Sequence, residues 1–107
     1  MNINRRSEFG KKENKLADFA KAISHPARVA ILNEIAKKET CTCGEIVEII
    51  PLSQATVSQH LKELKKAGLI EMEEDGTKSR YSIDWKTFKK FGKSFNSFYT
   101  DNKHKGE

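Results

Sequence analysis

The stretch Leu52 to Leu69, LSQATVSQHLKELKKAGL, constrains this chain more than any other. Ser53 has the short acceptor side chain that satisfies free amides at a helix start, so it sets the N-terminus. Thr56, three residues on, offers no carboxylate or amide, so the reciprocal half of a capping box is missing. Val57, Leu61 and Leu64 follow at i, i+4 and i+7, a single apolar stripe. Gly68 ends the helix, because glycine most readily takes the left-handed conformation just past it, and Lys65 and Lys66 suit the negative end of the helix dipole. The opposite face is unusual. Gln54, Thr56, Ser58, Gln59, His60 and Lys62 present neutral donors and acceptors with few cations, where an ordinary solvated face carries Glu–Lys pairs. Amides and hydroxyls in such a row match the donor and acceptor pattern of base edges in a major groove. Taken alone, the helix would equally suit a solvated face of an unrelated helical protein; the flanking segments decide.

Upstream, Lys15 to Ile23 (KLADFAKAI) places Leu16, Phe19, Ala20 and Ile23 on one face of a first helix. Ser24-His25-Pro26 interrupts it, and Pro26 opens a second helix, PARVAILNEIAKK, with Val29, Leu32, Ile35 and Ala36 expected inward. His25 reads as a cap or turn residue rather than a ligand, and Arg28 is placed to reach a phosphate or a carboxylate. ETCTC (Glu39 to Cys43) is β-prone and predicts one small strand. Thr42 or Cys43 then leads into a short third helix, GEIVEII, with Ile46, Ile49 and Ile50 inward, and Pro51 stops it. Two helices joined by so tight a turn, the second with a readout face, form a helix-turn-helix.

Downstream, the period changes to two. Ile70 and Met72 alternate with Glu71 and Glu73, Asp75-Gly76 signals a hairpin turn, and Tyr81 and Ile83 return on one face. A hairpin directly after such a helix is a wing, whose tip can lie on the DNA backbone or in the minor groove. Lys78 and Arg80 are its useful cations; Glu71, Glu73, Glu74 and Asp75 must face away from phosphate. Asp84 caps a last helix with Trp85, Phe88, Phe91, Phe95 and Phe98 at spacings of 3, 3, 4 and 3. That aromatic stripe, with Leu16, Phe19 and Ile23 of the first helix, is expected to form a homodimer interface, and a two-fold protein suits a palindromic site. Packing within one chain is the alternative. Gly92 would let two helices approach closely, at about 1 kcal/mol in helix propensity.

The predicted fold is therefore mostly α with a small β-hairpin wing, in the order α-α-(β)-α-α-β-β-α, a winged helix-turn-helix over residues 15–100. A mobile basic arm (1–14) precedes it and a frayed tail (101–107) follows. With 107 residues the chain allows one domain with a modest core. Its 20 Lys and Arg against 15 Asp and Glu favour an anionic partner, double-stranded DNA. No apolar run approaches the roughly 18 residues of a membrane span, and the charged N-terminus lacks a signal-peptide core, so a cytoplasmic protein without membrane contact is expected. Cys41 and Cys43, one residue apart, do not form a disulfide framework.

Several strings also resemble the ArsR/SmtB family of bacterial transcriptional repressors. SHPARVAILNEI is similar to its second helix, ETCTCGEIVEII to its short third helix, LSQATVSQHLKELKKAGLI to its recognition helix with Ser58-Gln59-His60-Leu61, and DGTKSRYSI to its wing. The resemblance implies a homodimeric repressor that releases DNA when an effector binds. It carries base and phosphate contacts to Gln54, Thr56, Ser58, Gln59 and His60, and backbone contacts to Lys62, Lys78 and Arg80. Cys41 and Cys43 are candidate ligands for a soft metal, but the third cysteine that arsenite-sensing members carry falls at Ile46, and the arm has none of the cysteines of cadmium-sensing members. His104-Lys105-Gly106-Glu107 matches half of the family's other metal site without an Asp-x-His partner. No cofactor is therefore expected, and the effector is open. The competing readings are a metal- or thiol-responsive repressor and a winged helix used only for protein contact. A thiol enzyme lacks Cys-x-x-Cys spacing and any nucleophile–base constellation.

Overall fold

A computed structural model describes residues 6–104. After a short 3-10 turn (Arg6–Glu8) come α1 (Lys11–Ala22), α2 (Pro26–Lys38), β1 (Cys41–Thr42), α3 (Cys43–Ile49), α4 (Gln54–Lys66), β2 (Ile70–Asp75), β3 (Lys78–Ile83) and α5 (Trp85–Asn102). The helices begin where the chain supplies an acceptor. His25 Nδ1 accepts from the Ala27 amide at 3.1 Å, and Pro26 holds the first helical position of α2. Thr42 Oγ1 accepts from the Glu45 amide (3.2 Å) while Glu45 Oε1 accepts from the Thr42 amide (2.8 Å), a full capping box on α3. Ser53 and Asp84 accept from the Thr56 and Thr87 amides, at 3.2 and 3.1 Å. Caps of this kind contribute about 1 kcal/mol each. Gly68, at φ +81°, turns the chain out of α4: its amide donates to the Lys65 carbonyl and the Leu69 amide to that of Leu64, at 2.9 and 3.1 Å.

The sheet has β3 in the centre, with β1 on one side and β2 on the other, all antiparallel. Asp75 pairs with Lys78, so the turn residues are Gly76 and Thr77. The Asp-Gly pair expected there is displaced by one, because a two-residue loop with φ above zero only at its first residue places the glycine first; Gly76 is at φ +66°. The core lies where α2, α3, α4 and the sheet meet: Ile31, Ile35, Cys41, Ile46, Val57, Leu61, Leu64 and Leu69 are fully buried. α5 packs against α1 through Phe91, whose ring stacks on Phe19 at 5.0 Å, and Phe88, edge-on to Phe19 at 6.3 Å.

The fold follows the expected order, with corrections at particular residues. α1 starts at Lys11, inside the segment read as an arm, and Arg6 donates to both oxygens of Asp18 (2.7 and 3.0 Å), tying the preceding turn to it. Residues 1–5 lie outside the described residues, as do 105–107 of the tail; Asp101 and Asn102 belong to α5. In α2 the buried residues are Ile31, Leu32 and Ile35, while Val29 and Ala36 are exposed. Ile49 also faces out. The α2 stripe runs 28, 31, 32, 35, and its first member is an arginine.

Candidate nucleic-acid interface

α4 is clamped from behind by Val57, Leu61 and Leu64, so its register is fixed by the core. Gln54, Thr56, Ser58, Gln59 and Lys62 all project to solvent. Ser53 donates its hydroxyl to Thr56 Oγ1 (2.9 Å) and Gln59 Nε2 donates to Glu63 Oε1 (3.3 Å), which orders both side chains on the exposed row. His60 does not join that row. It is 8% exposed, accepts from Arg28 Nε at Nδ1 (3.2 Å), and its ring lies 4.5 Å from that of His25. Positions 57, 60, 61 and 64 make a complete i, i+3, i+4, i+7 stripe, which is why residue 60 turns inward. The same spacing puts Arg28 inward on α2. A polar residue completing an otherwise apolar stripe on each of two helices was the signal available in the sequence.

The wing carries less free positive charge than its sequence implies. Lys78 is exposed beside the turn. Arg80 Nε donates to Asp75 Oδ2 at 2.9 Å, and its guanidinium stands 3.6 Å from Glu45 Oε1. Hydrogen bonds from Thr42, with Arg80 adding to them, hold the Glu45 carboxyl below the usual carboxylate range. Arg80, expected as a backbone contact, thus ties the wing to the start of α3 through Asp75 and Glu45. β1 made this so: it pairs with β3 through Thr42 opposite Arg80, bringing the α3 cap alongside.

The residues expected at a dimer interface divide into two sets. Phe19, Ile23, Phe88 and Phe91 pack on the chain's own core. Trp85, Phe95 and Phe98 are exposed, each by more than half, and so is Tyr99 beside them, which the expected set did not include. Leu16 is half-buried and lines a groove of about 810 Å³ between α1 and α5, together with Ala17, Ala20, Ser94, Ser97 and Phe98.

Cys41 and Cys43 do not converge. The Cys41 thiol points to the Glu34 carbonyl (3.7 Å) and that of Cys43 to the Gln54 carbonyl (4.0 Å). Burial pushes both thiols up, and the Glu45 carboxylate raises Cys41 further. Among the described residues no group of three or more His, Cys, Asp or Glu is placed to hold a metal ion. Two desolvated thiols do not fit a soft-metal site, which takes three or four ligands.

Among the described residues, no helix is long and apolar enough to cross a membrane. A helix-turn-helix domain model matches residues 23–73, the segment that contains α2, α3, α4 and the start of the wing. The chain is 37% identical over 67 residues to the HTH-type transcriptional regulator YgaV of Escherichia coli, covering 63% of this chain and 68% of that protein. It is 31% identical over 70 residues to the arsenical resistance operon repressor of Staphylococcus xylosus, covering 65% and 66%. An ArsR-like transcriptional regulator from Rhodococcus sp. RHA1 superposes with a TM-score of 0.76 over 90% of both chains at 21% identity, a shared fold. By its relatives, the chain belongs to the ArsR/SmtB family of winged helix-turn-helix transcriptional regulators, which bind DNA and are not enzymes.

Proposed function

We propose that two copies of this chain bind a palindromic operator in the cytoplasm and repress the adjoining genes. The exposed polar row on a helix whose other face is locked into the core is the observation that carries this reading. Gln54, Ser58 and Gln59 read base edges in the major groove; Thr56, Lys62 and Lys78 hold phosphates. Arg80 keeps the wing at its angle rather than touching DNA. The open rings of α5, Trp85, Phe95, Phe98 and Tyr99, join the two copies, helped by Gly92, where an added Cβ meets nothing within 4 Å in its own chain. Cys41 and Cys43 act as packing thiols, and the regulator works without a resident metal.

Selection of bound duplexes from a random pool, paired with sedimentation of the free protein, tests this. The expected result is a particle with the mass of two chains and an inverted repeat whose half-site centres lie about 34–36 Å apart, one helical turn, or a multiple of it. A monomer, or a site without two-fold symmetry, overturns it.

A further inference from the structure

Beneath α4 lies a cluster of polar groups that the DNA-facing row does not use. Arg28 spans three elements. Its Nε donates to His60 Nδ1 on α4 (3.2 Å) and its Nη1 donates to the Ala22 carbonyl at the end of α1 (3.2 Å), while its backbone belongs to α2. His25, the cap of α2, lays its ring against that of His60. A guanidinium only donates, so Nδ1 of His60 must offer a lone pair and its proton must sit on Nε2.

From these contacts we infer that His60 is a positioning residue: its neutral ring seats the recognition helix on the α1–α2 junction, and protonation releases that seat, so DNA affinity falls in mild acid. A proton on Nδ1 would turn the acceptor into a donor facing a donor, and would set a second positive charge beside the guanidinium. The inference rests on the reading of α4 as the groove-facing helix.

The titratable or charged groups on the surrounding elements are these. The α1–α2 junction brings His25 and α2 brings Arg28 to the ring, and the other charged groups of α2, α3, α4 and β2, Glu63 tied to Gln59 and exposed Glu71 among them, do not act on it. His25 and Arg28 are the ones that act on the His60 ring, and both disfavour its charged form. Burial, then these two neighbours, hold His60 below the ordinary imidazole value of 6.5. Because the folded value is depressed, the seat is whole above 6.5 and is lost as pH falls from there through the folded value. General electrostatics runs the other way: acid makes the protein more positive and strengthens its hold on phosphates. A loss of affinity in acid therefore singles out the seat.

The full chain and its His60→Gln variant are titrated with the selected duplex between about pH 8 and pH 5 at constant ionic strength, spanning the histidine range. Glutamine can accept from Arg28 through its amide oxygen and does not titrate. Wild type is expected to lose up to about tenfold in affinity for each pH unit below the point at which the ring titrates, as the binding-competent fraction falls, and the variant to stay flat or tighten slightly. His25→Asn, which keeps a capping side chain, should retain the acid response. Nitrogen NMR of the free wild-type protein reads the ring directly and does not depend on any variant folding. It should show the Nε2–H tautomer at neutral pH and titration below 6.5. Parallel pH profiles for wild type and His60→Gln, a response abolished by His25→Asn, an Nδ1–H tautomer, or titration at or above 6.5 would each overturn the inference. Wild type that binds no duplex at neutral pH overturns the reading of α4 itself, and the inference with it.

Discussion

α4 and α5 are both amphipathic, yet they complete themselves in opposite ways. α4 buries Val57, Leu61 and Leu64 wholly inside its own chain and leaves a polar row outside. α5 buries Phe91, half-covers Phe88, and holds four aromatic rings, Trp85, Phe95, Phe98 and Tyr99, in the open. The difference lies in their neighbours. α4 sits among α2, α3 and β2, while α5 has α1 as its main companion. An apolar stripe states that something must cover it; the surrounding elements decide whether that is the same chain. In the proposed function, the helix enclosed on three sides is the rigid platform for reading and the one covered on a single side is where a second copy joins.

Substitution of the two stripes separates these roles most sharply. Leu61→Ala should cost about 2–5 kcal/mol of folding stability in denaturant titration, as a fully buried leucine that leaves a cavity. Phe95→Ala should leave the unfolding of the isolated chain within about 0.5 kcal/mol, as a surface change does. It should weaken self-association by about 2 kcal/mol, the scale of an interface anchor, in sedimentation equilibrium. Equal effects of the two on folding would erase the contrast.

On the polar side of α4, Gln59→Ala should lower affinity for the selected duplex by about 1–3 kcal/mol with the assembly unchanged; wild-type binding would place the reading face elsewhere. At the notch of α5, Gly92→Ala should stabilise the dissociated chain by about 1 kcal/mol through helix propensity while raising the dissociation constant of the pair. Tighter pairing would mean that no helix approaches there. The smallest effect belongs to the wing. Lys78→Ala should reduce the slope of log affinity against log salt by about one. Arg80→Ala should change that slope less, because Asp75 and Glu45 already neutralise the guanidinium.

What could be read without coordinates follows the range of the forces involved. Ser53, His25 and Asp84 were legible as caps because a side chain and the amide it satisfies lie two or three residues apart. The hairpin was legible from alternation and Gly76, although its turn sits one residue later than Asp-Gly implies. Polarity alone assigns His60 outward, whereas in the fold His60 is buried. Its spacing from Val57, Leu61 and Leu64 already placed it on the buried stripe, but the donor that makes burial tolerable comes from Arg28, 32 residues away. On α2 the buried arc runs through Ile31, Leu32 and Ile35 with Arg28 at its edge, which leaves Val29 outside. The aromatic stripe of α5 was read as one surface because its spacing is continuous; contact with Phe19 divides it.

By itself, the amino-acid order determined the helices, the strands, their caps and the polar row after Ser53, since periodicity and capping act within a turn or two of backbone. Only the assembled fold decided that His60 faces Arg28, that Arg80 binds two carboxylates, and which rings stay uncovered. Those outcomes depend on which distant segments come to lie side by side, and a buried polar group is stable only where such a segment brings its partner.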